Sequence, residues 1–134
     1  MPTLLAALLL QAAPEPADRA IERGLKFLLS QQDKEGAIQS RWQWGNRTAI
    51  TALSLMAFAA VGHQASDDTA EGRCLRKGLD FVLRPDHQDA DGYFGNADGS
   101  RMYGHGIITL TLGEFLGMGA DEVQDRLKIG RAHV

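Results

Sequence analysis

Residues 23–28 read Arg23-Gly24-Leu25-Lys26-Phe27-Leu28, and residues 77–82 read Lys77-Gly78-Leu79-Asp80-Phe81-Val82, the same pattern displaced by 54 positions. A second match follows the first. Ile50, Leu53, Leu55, Phe58 and Gly62 correspond to Ile107, Leu110, Leu112, Phe115 and Gly119 at a displacement of 57. The growth from 54 to 57 places insertions in the loop between the two matched segments. Self-similarity at a period of this size marks stacked supersecondary units. The chain therefore reads as two units, each with two helical segments.

The helical reading rests on periodicity. In Asp18–Gln32 the apolar residues Ile21, Leu25, Leu28 and Leu29 recur at intervals of three and four, with Asp18 as N-cap and Gly36 as stop signal. Thr48–Val61 is apolar nearly all round, which predicts a helix buried on most sides. Asp68-Thr69-Ala70-Glu71 is a capping-box pattern opening a third helix, with Leu75, Leu79, Val82 and Leu83 on one side and Pro85 as its stop. Gly106–Met118 is again apolar, and Asp121 opens a fifth segment. The alternation of amphipathic and apolar helices predicts an all-α fold of antiparallel helical hairpins, with amphipathic helices outside and apolar ones inside. Two hairpins cannot cover both sides of the inner helices, so further repeats of the same chain are expected as neighbours.

The composition excludes several classes. The 134 residues carry 14 Lys+Arg against 17 Asp+Glu, a net charge of -3, which gives no electrostatic footprint for nucleic acid. With 44% hydrophobic and 23% charged residues the chain is globular rather than disordered. The single Cys74 excludes an internal disulfide and a multi-thiolate zinc site. The fifteen glycines fall between apolar periodic segments, as expected of helices joined by tight turns.

Both ends stand apart from the repeats. Met1–Ala13 holds the apolar run Leu4–Leu10 followed by small residues. The run is too short to span a bilayer. It reads as the h-region of a secretory signal, which predicts an exported, periplasmic chain. The alternative readings are an amphipathic N-terminal helix of a cytoplasmic protein, or a misplaced start codon. At the other end Lys128–Val134 reads KIGRAHV. That stretch can be encoded by AAG ATC GGA AGA GCA CAC GTC, which resembles a common sequencing-library adapter in frame. Residues 14–127 are therefore taken as the natural fold, with units at about 18–62 and 68–119 and the start of a third.

The residues also resemble a known family. Arg23-Gly24-x-x-Phe27-Leu28-x-x-x-Gln32-x-x-x-Gly36-x-Ile38 is similar to the QW repeat of squalene and oxidosqualene cyclases, with Ile38 where that family has Trp. Lys77-Gly78-x-x-Phe81-Val82 with Gln88-x-x-x-Gly92-x-Phe94 resembles a second copy, with two extra residues before the Gln and Phe in place of Trp. Met102-Tyr103-Gly104-His105-Gly106-Ile107-Ile108-Thr109-Leu110 is similar to the segment opening the inner helix in bacterial prenyltransferase and squalene-cyclase repeat proteins. The resemblance implies an α/α toroid, here incomplete, whose double ring of helices surrounds an apolar cavity. It implies that Gln32, Gln88, Gly36 and Gly92 are scaffold residues, and that an apolar or extended small molecule is the partner.

Several residues are candidates for chemistry. Asp67-Asp68-Thr69-Ala70 resembles part of the acid motif with which squalene–hopene cyclases protonate an alkene, but Ala65 replaces its first Asp, and an amphipathic helix follows. Asp67 and Asp68 are thus candidate general acids or helix caps. His87-x-Asp89-x-Asp91-Gly92 with Asp98 at the twelfth place has the spacing of a calcium loop, with His at the first place instead of a carboxylate. The alternative is an acidic turn. Protein prenyltransferase β-subunits use an Asp-x-Cys pair for zinc. Here Gly72 stands two residues before Cys74, so no zinc or other cofactor is expected. Trp44, Arg47, Tyr103 and His105 lie before or at the start of the inner helices and are the candidate ligand-binding residues, with Trp42 beside them. Their alternative role is to hydrogen-bond and pack the loops.

Overall fold

The computed structural model describes residues 16–39 and 45–119, together with 121, 124, 125 and 127. The N-terminal run 1–13, the tail 128–134, Trp42 and Trp44 lie outside the described residues. The described chain is helical: α1 (Pro16–Gln31), α2 (Arg47–Ala60), α3 (Ala70–Val82), a 3-10 turn (Pro85–His87) and α4 (Arg101–Phe115). Among the described residues there is no strand, only one isolated bridge between Gln32 and Ile38.

Helix starts differ from the sequence expectation in three places. α1 begins at Pro16, so Asp18 sits in its first turn and not at its N-cap. Proline is favoured at the first helical position because its missing N–H would find no partner there. α3 is capped by Thr69, whose hydroxyl accepts from Gly72 N at 3.1 Å, one residue after the expected Asp68. α4 begins at Arg101, five residues before Gly106. Gly104 is inside the helix, where the Ser100 side chain leaves no room for a Cβ and α2 packs close by. A Cβ at Gly104 would stand 3.3 Å from the Ala49 Cβ and closer still to the Ser100 side chain.

The core lies between α2, α3 and α4. Leu55 and Phe58 of α2, Leu75 and Val82 of α3, and Ile108, Leu112 and Phe115 of α4 are all buried, joined by Ile38 and Phe94 from the loops. α2 makes its most extensive contacts with α4 and then with α3. α2 packs tightly on α3 at Gly78, where an added Cβ would lie 2.4 Å from a methyl of Leu55. A glycine here is a packing requirement. α1 is peripheral. It has no buried residue, and only Leu25, Leu28 and Leu29 lean on the core.

The two turns that follow α1 and α3 are built alike. Gln32 Nε2 donates to Gly36 O at 3.0 Å, and Gln88 Nε2 to Gly92 O at 2.8 Å. Asp33 Oδ1 accepts from the N–H groups of Glu35 and Ala37, and Asp89 Oδ1 from those of Asp91 and Tyr93. Gly36 and Gly92 both have positive φ, 97° and 82°, which a side chain would disfavour. Gln32 also donates to Cys74 O at 2.9 Å, tying the first turn to α3.

Candidate functional site

The first turns of α2 and α4 lie side by side, and a groove of about 650 Å³ runs between them. Its apolar wall is made by Ala49, Ile50 and Leu53 of α2 and by Met102, Tyr103 and Ile107 of α4. Ile50 and Ile107 are repeat equivalents, as are Leu53 and Leu110. Leu53 is 55% exposed and Leu110 is 54% exposed. Leu110 follows Ile107 by three positions and continues the same helix face. Met102 and Tyr103 are exposed at the rim. None of the described lining residues is an Asp, Glu, His or Cys, and the polar side chains beside the apolar wall are those of Asn46, Ser100, Arg101 and Tyr103.

Asp98 ties together the starts of the two groove helices. Its Oδ2 accepts from Ala49 N at 3.0 Å, and its backbone oxygen accepts from Asn46 N at 2.9 Å. Its Oδ1 accepts from Ser100 N at 3.0 Å and from the Ser100 hydroxyl. Asn46 itself is left-handed (φ 60°) and makes no side-chain cap bond. A carboxylate from the second unit therefore does the N-cap's work for α2.

The candidate ligand-binding residues separate in space. Tyr103 lines the groove. Arg47 turns to the first turn, where it pairs with Asp33 and, at 3.1 Å, with Glu35. Its guanidinium also lies over the Phe81 ring, 5.0 Å from the centroid, while its Nε is buried without a partner among the described residues. His105 faces the second turn. Its Nδ1 accepts from Phe94 N at 3.3 Å, and its ring stacks on Tyr93 at 4.7 Å. Burial works to raise the Asp33 pKa. The Arg47 hydrogen bond and charge and the N–H groups of Ala37 and Glu35 outweigh it, leaving Asp33 below its usual value. Burial likewise works to lower the Arg47 pKa, and Asp33 and Glu35 reverse it.

The carboxylate candidates lie elsewhere. Asp67 Oδ2 accepts from Gln64 N at 2.8 Å, and Asp68 forms a fully exposed ion pair with Arg73 at 3.3 Å. Neither lines the groove. A proton donor to an alkene needs a neutral, desolvated acid, and exposure of Asp68 works against that. In the calcium-like loop, Asp89 organises its own turn and also accepts from Asn96 Nδ2 at 2.8 Å. The Tyr93 N–H, foremost, with Asn96, the Asp91 N–H and the His105 charge, holds the Asp89 pKa below its usual value against a smaller effect of burial. Asp98 is engaged at the helix starts, and Asp91 is exposed. Among the described residues no three His, Cys, Asp or Glu side chains come together as a metal set. His87 packs edge-on against Phe81 at 4.6 Å. Cys74 is buried, and burial, helped by the Glu71 charge and opposed by Lys77, pushes its thiol up to about 11.

Sequence reasoning missed three features. The capping role of Asp98 has no local signal, since its partner lies in another helix. The paired Asp33 and Asp89 turns were visible in the repeated Gln-Asp-x-x-Gly strings. Met102 lines the groove, and nothing in its local sequence pattern marks it as a lining residue.

No helix among the described residues is long and apolar enough to cross a membrane. No protein-family model, no curated protein and no solved structure matches the chain.

Proposed function

We propose that the chain is a pair of helical-hairpin units from an α/α toroid and that the groove between α2 and α4 is part of the wall of its apolar binding cavity. The observation that carries this is the exposure of Leu53, which lines the groove, and of its repeat equivalent Leu110, which follows the lining residue Ile107 by three positions on α4. A single exposed leucine means little. Two at repeat-equivalent positions beside Ile50, Ile107 and Met102 make a contiguous apolar face of the kind that marks a binding site. The volume of about 650 Å³ is in the range of a small-molecule pocket. With no Asp, Glu, His or Cys in the described lining, the groove is read as binding an apolar or extended ligand, with any catalysis drawing on groups from further repeats.

The test is displacement of a fluorescent apolar probe by a long-chain isoprenoid alcohol. The alcohol is expected to displace the probe from the wild-type chain. The double variant Leu53→Glu/Leu110→Glu should bind at least ten times more weakly with an unchanged melting temperature, because both side chains are exposed. Equal binding by wild type and variant refutes the reading.

A further inference from the structure

The polar residues of the groove gather at the starts of its two helices. Asn46 immediately precedes α2, and Ser100 and Arg101 open α4, while Ile50, Leu53 and Ile107 lie further along. Arg101 is the one charged residue in the described lining. Arg47, Arg73 and Arg84 pair with carboxylates, and Arg76 donates to the carbonyls of Ala65 and Asp67. The Arg101 guanidinium has no such partner among the described residues. Asp98, the acid that precedes it in the chain, is engaged by the N–H groups of Ala49 and Ser100 and by the Ser100 hydroxyl.

Asn46 and Arg101 share a second feature. Among the described residues they are the only ones besides glycine with positive φ, 60° and 54°. Asparagine tolerates that region, whereas arginine is disfavoured there. Gly95 holds Arg101 in place: its carbonyl accepts the Arg101 N–H at 2.7 Å, and a Cβ at Gly95 would collide with the Arg101 carbonyl. Glycine would suit the backbone at position 101 better than arginine does. Disfavoured backbone of this kind clusters at ligand clamps, and both instances line one groove.

We propose that the groove takes an amphiphile with a carboxylate head, its chain on the apolar wall, its head on the Arg101 guanidinium and the Asn46 amide. A guanidinium donates two parallel N–H bonds to a carboxylate. One positive charge in the described lining balances one negative charge, so a carboxylate fits better than a doubly charged phosphate. The inference rests on the groove being the binding site for an apolar chain, and it names the head group that the chain carries.

Displacement of the fluorescent apolar probe tests it, with the long-chain isoprenoid alcohol set beside the carboxylic acid of the same chain at a pH where the acid is ionised. Wild type is expected to bind the acid at least tenfold more tightly than the alcohol, with a preference that shrinks as salt is added. Arg101→Gly is expected to bring the acid down to the level of the alcohol, with an unchanged or raised melting temperature, because glycine adopts the left-handed φ freely. Arg101→Lys should keep part of the preference, having the charge without the fork. Equal binding of acid and alcohol by wild type overturns the proposal, and so does an acid preference that survives Arg101→Gly. Tighter binding of the matching alkyl phosphate than of the acid overturns the assignment of a carboxylate. Alcohol binding without an acid preference leaves the apolar groove standing, whereas failure of both ligands to displace the probe removes the groove reading itself.

Discussion

The Asp98 carboxylate accepts the backbone N–H of Ala49 at 3.0 Å across forty-nine residues of chain. Ala49 lies in the first turn of α2, where N–H groups have no partner inside the helix. The same carboxylate holds the Ser100 N–H at the start of α4. One side chain thereby sets the starts of both groove helices.

Replacing Asp98 by alanine should therefore cost more than an average surface change. Loss of an N-cap acceptor costs about 1 kcal/mol, with a range of roughly 0.5–2. Asp98→Ala is expected near the upper end, because Ala49 and Ser100 lose their acceptor together. Asp98→Asn keeps an oxygen and should recover much of the loss. Urea unfolding of the three proteins measures this, and an unchanged midpoint for Asp98→Ala would refute the shared-cap role.

Gln32 and Gln88 occupy equivalent places in their turns, and Gln32 also joins its turn to α3. Both amides donate to the carbonyl of a turn glycine, and Gln32 also donates to Cys74 O in α3. Gln32→Leu leaves two carbonyls without that donor, at a cost of about 1–3 kcal/mol for a buried polar group left unpaired. Denaturant unfolding of Gln32→Leu measures this, and an unchanged midpoint would show that the bond to Cys74 contributes nothing.

The repeat and the helical class were legible because they depend on local pattern. The spacing of Ile21, Leu25, Leu28 and Leu29 and the apolar composition of Thr48–Val61 specify helices whatever surrounds them. Helix starts were less legible. Gly104 and Gly106 look like a lead-in to α4, and the crowding of Gly104 by the Ser100 side chain and by Ala49 of α2 is a tertiary feature that the pattern does not show. The site was partly legible. Tyr103 lines the groove, but Arg47 and His105 are drawn away by Asp33 and by the Phe94 N–H, partners that composition and periodicity do not reveal.

Acid should loosen the first turn through Asp33. Its folded pKa lies below the ordinary 3.8, where burial is outweighed by Arg47 and by the N–H groups of Ala37 and Glu35. A group whose folded pKa is depressed stabilises the fold above its unfolded pKa. That contribution is fully present above about pH 4 and is lost as pH falls through the folded value. Arg47→Met removes the charge and keeps much of the packing against Phe81. The Asp33 carboxyl should then titrate at higher pH by NMR, and the acid-unfolding midpoint should rise with it. An Asp33 titration indifferent to Arg47→Met would remove the ion pair from this account.

Cys74 offers the last check on the core. Its side chain is 2% exposed and its pKa is pushed up to about 11 by burial, with Glu71 adding to the effect and Lys77 opposing it. The thiolate is the reactive form, and at pH 8 a thiol of that pKa is about 0.1% ionised. A disulfide reagent should therefore label native protein only as fast as α3 opens, and should label it at once in urea. Gln32→Leu loosens the tie to Cys74 O and should speed native labelling without changing the rate in urea. Immediate labelling of the native wild-type chain would place Cys74 outside the core and undo the packing of α2 on α3.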